Sequence, residues 1–315
     1  MIKSFSVTNY RDETMKCVLT NPSEEGFVVA SIDGLGPNDA TVNVSDISSI
    51  DGGLFNSARI GSRNIVISLV YYYDSKWSIE ELRHKSYRYF APKKKVQLLI
   101  ETDYRLVFID GYVESNSVAI FSKQEGSQIS IICPNPYFYS IEKEYNEYNS
   151  YAVPAFTFPF SKDLDNEQNS KLLMGMILDY KLTEVAYSGD VDTGLVFDIA
   201  FKSTISNNST IQITNGNTSV QNTISIAKII TLVSGMLPGF NAITSGDSLL
   251  FSTVKGNKYL TFLHDSKEYN VLGAVSSNGD WVYLIPGINR IRIDTSDTEA
   301  NVDVSSENRI YFNGI

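Results

Sequence analysis

The chain has 315 residues, 43% of them hydrophobic and 20% charged, enough apolar material for a sizeable core and too much for a disordered chain. Its 36 Asp and Glu against 26 Lys and Arg give a net charge of −10, so the clustered cations that grip a phosphate backbone are lacking and no specific nucleic-acid partner is expected. Two cysteines, Cys17 and Cys133, and two histidines, His84 and His264, supply neither a disulfide framework nor a histidine-built metal or acid–base site.

The 19 Tyr and 16 Phe, with many Val, Ile and Thr, favour strands. Met1 to Phe5 lacks the apolar run of a signal peptide, and no stretch approaches the ~20 apolar residues that cross a bilayer. The expectation is a chain made and kept in a cytosol, with no membrane partner. At about 150 residues per domain, two domains are expected.

From Phe27 to Leu69, short apolar stretches are punctuated by Asp33-Gly34, Gly36-Pro37 and Asp51-Gly52-Gly53, the pattern of hairpins. Arg59 to Tyr73 reads as one long central strand, with Ile60, Ile65, Ile67, Leu69 and Tyr71 on its buried face. Ser78 with Glu81 forms a capping box that opens a helix carrying Ile79, Leu82, Tyr89 and Phe90, and Pro92 ends it. Its cations Arg83, His84, Lys85 and Arg88, followed by Lys93 to Lys95, read as a solvated face favoured near a helix C-terminus rather than as a binding patch. Strands follow at Val96–Ile100, Tyr104–Val113 and Ser117–Cys133, the last two joined across Glu114-Ser115-Asn116. Pro134-Asn135-Pro136 closes the unit, because two prolines cannot donate to a central ladder.

Ser140 to Asn149 reads as a polar linker, and Pro154 to Phe160, which alternates aromatics with turn formers, as a docked segment. Short strands at Gly194–Phe201, Thr210–Thr214, Thr223–Ile230, Asp247–Thr253, Lys258–Leu263, Trp281–Leu284, Asn289–Asp294 and Arg309–Phe312, separated by Gly, Asn, Asp and Ser, predict a β-sandwich. The boundaries expected are 1–139 for the first domain and 140–315 for the second.

Several fragments, taken in their shared order, carry a family resemblance. They are Gly53 to Ile67, Arg88-Tyr89-Phe90, Ile109-Asp110-Gly111-Tyr112-Val113-Glu114, the closing Cys133-Pro134-Asn135-Pro136-Tyr137-Phe138, Phe156 to Ser161, Tyr187 to Gly194, Gly246-Asp247-Ser248-Leu249 and Ser277 to Pro286. With these the chain resembles, over nearly its whole length, the distal tail protein family of bacteriophages. The resemblance implies a mainly β fold: an N-terminal split β-barrel with one α-helix, joined to a C-terminal galectin-like β-sandwich. It further implies a virion structural protein, not an enzyme, that forms a hexameric ring in the baseplate at the tail tip. Its implied partners are the tail tube protein, the tail-associated hub protein and a receptor-binding protein, in the service of host attachment. An acidic protein suits a conduit that DNA passes without sticking.

No Gly-x-Ser-x-Gly, phosphate-cradling glycine loop or His-Glu-x-x-His occurs, and no catalytic, cofactor or metal residues are assigned. The carboxylates of Asp163, Asp165 and Glu167, or of Asp190 and Asp192, could in principle serve a calcium loop or a glycosidase, but beside Gly and Asn they read as turn formers. His84 on the helix and His264 beside a turn read as solvated, and Cys17 and Cys133 as reduced structural thiols. Trp281, Tyr283 and Tyr259 are the candidate sugar-stacking residues of an alternative reading, a carbohydrate-binding adhesin, against which stands simple core packing.

Overall fold

In the computed structural model every residue is described except 23, 48–50, 74–75, 121–123, 149, 155–174 and 298–300, together with the side chains of 150–154 and 175–179. The aromatic segment Phe156 to Phe160 and the carboxylates Asp163, Asp165 and Glu167 lie outside the described residues. The chain forms two units, Met1–Glu142 with Tyr311–Ile315, and Lys143–Ile310.

Alternating apolar side chains build the first unit into strands β1 (Ile2–Thr8), β2 (Thr14–Val18), β3 (Phe27–Asp33), β4 (Ala40–Asp46), β5 (Gly53–Ile60), β6 (Arg63–Tyr71), β7 (Lys95–Thr102), β8 (Leu106–Ala119), β9 (Gly126–Cys133) and the start of β10 (Phe138–Tyr148), with helix α1 (Ile79–Tyr89) between β6 and β7. Seven of them pair antiparallel in the order β2-β1-β7-β8-β9-β6-β3, and β10 begins beside β8. Among the described residues no ladder joins β2 to β3, so the sheet stays open rather than closing as a barrel. Ile65, Ile67 and Leu69 of β6 and Ile129 and Ile131 of β9 are buried, as is Leu82 of α1.

The capping box forms as the sequence predicts: the amide of Ser78 donates to Glu81 Oε2 at 3.0 Å and the amide of Glu81 to Ser78 Oγ at 3.3 Å. The basic helix face is neutralised, since Arg83 meets Glu125 at 2.8 Å, Lys85 meets Glu25, and Arg88 meets Glu13.

The structure corrects several local expectations. The long strand Arg59–Tyr73 breaks at Gly61-Ser62, so that Arg59 and Ile60 belong to β5 instead. No turn forms at Glu114-Ser115-Asn116: β8 runs through it for 14 residues with a bulge between Val113 and Ser115. Asn116 is polar because it docks α1, its Nδ2 donating to Ser86 Oγ at 3.0 Å and to the carbonyls of Ser86 and Phe90. The supposed linker Ser140–Asn149 is mostly strand β10, whose Lys143 pairs with Glu307 and whose Tyr148 hydroxyl lies 2.8 Å from Ser306 Oγ.

A buried guanidinium organises one end of the first unit. Arg63 is 1% exposed and among the described residues has no carboxylate partner; it donates to four main-chain carbonyls, those of Pro136, Gly34 and Asn313 at 2.6 Å and that of Gly36 at 2.5 Å. Its guanidinium carbon lies 4.7 Å from the centre of the Phe138 ring, a cation–π contact.

The second unit contains the rest of β10, then β11 (Ser150–Pro154), β12 (Gly175–Tyr187), β13 (Thr193–Gly194), β14 (Val196–Phe201), β15 (Thr210–Asn215), β16 (Val220–Ser225), helix α2 (Ile226–Met236), β17 (Ser248–Ser252), β18 (Tyr259–His264), β19 (Lys267–Asn270), β20 (Val275–Ser277), β21 (Tyr283–Leu284), β22 (Gly287–Thr295) and β23 (Val302–Phe312), whose last residues, from Tyr311, belong to the first unit. One sheet runs β19-β18-β17-β14-β23-β10 and the other β11-β12-β22-β15-β16-β20. Phe197, Phe251 and Phe262 from one and Ile211, Ile213, Ile291 and Ile293 from the other share a single buried cluster, which makes the unit a β-sandwich. The strand expected at Thr223–Ile230 ends at Ser225, where α2 begins. Ile226, Ile229 and Val233 point into the core at helical spacing, and Ser225 caps them by accepting from the amide of Lys228. The β-branched residues mimic a strand; their 3.6-residue period decides.

Arg63→Leu removes a buried guanidinium that joins four main-chain carbonyls and should destabilise the protein by about 3 kcal/mol in urea unfolding. A loss within experimental error would show that water replaces the guanidinium. Hydrogen bonds from Arg88 and Asn9 hold the Glu13 carboxyl from its usual 4.5 down to about 2. A depressed folded value stabilises above the unfolded value and loses that stabilisation as pH falls through the window, here from 4.5 towards 2. Stability measured across this interval should therefore fall less steeply in Glu13→Gln than in the unaltered chain, by a modest amount because the pair meets solvent.

Candidate assembly surface

Among the described residues, strands β4 and β5 pair only with each other, as a two-stranded sheet apart from the rest. Their register sets Ala40 opposite Ile60, Val42 opposite Ala58 and Val44 opposite Phe55, which gives one apolar face. Thr41 with Arg59, Asn43 with Ser57 and Ser45 with the exposed Leu54 form the other, more polar face, where Asn43 Nδ2 donates to Ser57 Oγ at 3.0 Å. At the turn end, a Cβ on Gly53 would lie 2.3 Å from Val44 Cγ1, so the close pairing needs glycine there.

Every residue of both strands is exposed, including Val42 at 55%, Val44 at 54% and Phe55 at 62%. A lone hairpin is marginal in water, and an apolar face of this kind on a folded chain marks an interaction site. We refer to the hairpin as the arm. Its spacing was legible from Gly36-Pro37 to Asp51-Gly52-Gly53, but alternation alone does not tell a covered apolar face from a bare one.

The residues singled out for chemistry do not converge. Trp281 packs on the core, its ring 5.6 Å from that of Phe251 with Lys258 Nζ 4.8 Å from its centre. Tyr283 pairs with Gly194 across β13 and β21, and Tyr259 with Ser252 across β17 and β18; among the described residues, none of these three rings contacts another. Asp190 and Asp192 are exposed in a loop braced by the Tyr187 hydroxyl, which donates to the Val191 carbonyl at 2.7 Å. Among the described residues, no three His, Cys, Asp or Glu are placed to hold a metal ion.

His84 is exposed on α1, but His264 is not the solvated residue expected. It is 22% exposed, with Nδ1 2.6 Å from Oδ1 of the buried Asp247 and its ring between those of Phe240 and Phe262. Asp247 Oδ2 also accepts from the Thr244 amide at 2.8 Å, so the pair pins a loop, and the other ring nitrogen faces Asp265 rather than a nucleophile. Cys17 and Cys133 are buried and free, and burial pushes both thiols up to about 12, far from the reactive thiolate.

No family model matches the chain, and no curated protein sequence does. Among solved structures, Dit of phage SPP1, described as a paradigm of the hub adsorption apparatus in Gram-positive infecting phages, superposes with a TM-score of 0.59 over 97% of this chain and 99% of that one, at 12% identity. Structures of the phage P2 baseplate in its activated conformation, with Ca and with Sr, cover 98% and 97% of this chain at 12% and 13% identity, with TM-scores of 0.49 too low to argue from. The chain thus has the mainly β fold of a phage Dit protein, in agreement with the family resemblance of its motifs.

If Trp281 is a packing residue, Trp281→Ala should lower stability by about 2 kcal/mol, read from the urea midpoint. A fully stable variant that loses binding on a glycan array would instead make it a sugar platform.

Proposed function

We propose that the chain is a non-enzymatic structural hub of a phage tail tip, whose copies close into a hexameric ring when each arm lays its apolar face on the neighbouring copy. The bare face of β4 and β5 carries this reading, and the likeness in fold to SPP1 Dit over nearly the whole of both chains supports it. The ring would join the tail tube protein to the tail-associated hub protein and a receptor-binding protein. Synthesis would take place in the host bacterial cytoplasm.

The energetics favour closure over simple pairing. Fully burying a Val, Ile or Phe side chain is worth about 1.5–3 kcal/mol, so covering the exposed half of Val42, Val44, Phe55 and Ile60 gives roughly 3–6 kcal/mol per arm. Association costs about 4–15 kcal/mol in lost freedom, which leaves one arm marginal. An arm that reaches forward while its own body receives another makes a head-to-tail contact, and in a closed ring each copy is held on two sides.

Val44→Asp combined with Phe55→Asp should leave the thermal midpoint nearly unchanged, because among the described residues the two strands pair with each other and with no strand of the body. Incorporation into tail tips, measured by complementing a phage that lacks the protein, should fall about tenfold or more, as a loss above 1.4 kcal/mol requires. Normal incorporation would refute the arm as the ring contact.

A further inference from the structure

The arm leaves the body of its unit on two legs, residues 34–39 before β4 and Gly61-Ser62 after β5. Asn38 Nδ2 ties the legs together, donating to the carbonyls of Gly61 at 3.1 Å and Ser62 at 3.4 Å. Arg63, the next residue, reaches back to the carbonyls of Gly34 and Gly36 on the first leg. That leg contains two glycines and would otherwise be a hinge.

Its other side is held by residues far away in sequence. The Ile315 amide donates to the Leu35 carbonyl at 3.1 Å, and the Asn313 carbonyl accepts from Arg63 Nη2. Gly314 lies so close that a Cβ there would stand 3.0 Å from the carbonyl carbon of Gly36 and 3.1 Å from the Leu35 oxygen and the Pro37 nitrogen. The segment is itself anchored, with Phe312 beneath the Arg105 guanidinium at 4.3 Å and Tyr311 edge-on to Tyr139 at 6.3 Å.

We propose that Asn313 to Ile315 form a strap that sets the direction of the arm: clamped between the strap and Arg63, the first leg cannot swing. The strap positions an interaction element without touching a partner. A fixed direction lowers the freedom lost when the arm docks. That consequence rests on the ring reading above, whereas the clamping of the leg does not.

Spin labels on Asp51→Cys near the arm tip and Glu80→Cys on α1 report the direction in the free chain, where the native cysteines are buried. Pulsed dipolar spectroscopy should give a narrow distance distribution for the otherwise unaltered protein. Gly314→Val, and separately removal of Asn313 to Ile315, should broaden it about twofold while exchange protection of β6 and β9 amides persists. Equal widths in all three chains, whether narrow or broad, would overturn the strap. Broadening together with undiminished incorporation into tails would uphold the strap and tell instead against the ring reading.

Discussion

A guanidinium buried without a counter-charge is the constraint on which the first unit turns. Burial lowers the pKa of Arg63 from its usual value, but an arginine keeps its charge, so its donors must be met by the backbone or the fold fails there. Four carbonyls from three separate stretches meet them: Gly34 and Gly36 on the loop before β4, Pro136 after β9, and Asn313 after β23. One side chain thereby draws together the root of the arm, the proline pair that closes the sheet and the last residues described. A lysine could not do this, because its point charge lacks the planar fork that reaches carbonyls in several directions at once.

Among the described residues, those considered for chemistry are taken up by packing and loop contacts. The histidine and aspartate that do meet pin a loop, the thiols are buried, and the aromatic residues that could have stacked on a sugar are divided between the core and separate strands. What the chain leaves unsatisfied is an apolar hairpin face. Its need is geometric and hydrophobic, and a second protein surface meets it better than a small molecule would, since the face lies on an exposed two-stranded ribbon and not in a cleft.

Much of the fold was legible in local pattern. The box of Ser78 and Glu81, the alternation through Ile65, Ile67 and Leu69, and the glycine punctuation around the arm each follow from chemistry within a few residues. The misreadings share a cause, which is tertiary use of residues whose local meaning lies elsewhere. Asn116 looked like a turn because it is polar, yet it docks a helix; the Ile-rich stretch after Ser225 looked like a strand because it is β-branched, yet its period is helical; Lys143 and its neighbours looked like a linker because they are charged, yet their partners lie on β23. The candidate site was half visible: the hairpin could be drawn, but its bareness and the return of Asn313 to Ile315 to its root carry no local signal.

Cryo-microscopy of tail tips from particles that carry this protein tests the central claim most directly. A closed ring in which the Val42, Val44 and Phe55 face of every arm is covered by the adjoining copy is the result expected. Tail tips without the chain, or rings in which the arms stand free in solvent, would contradict it.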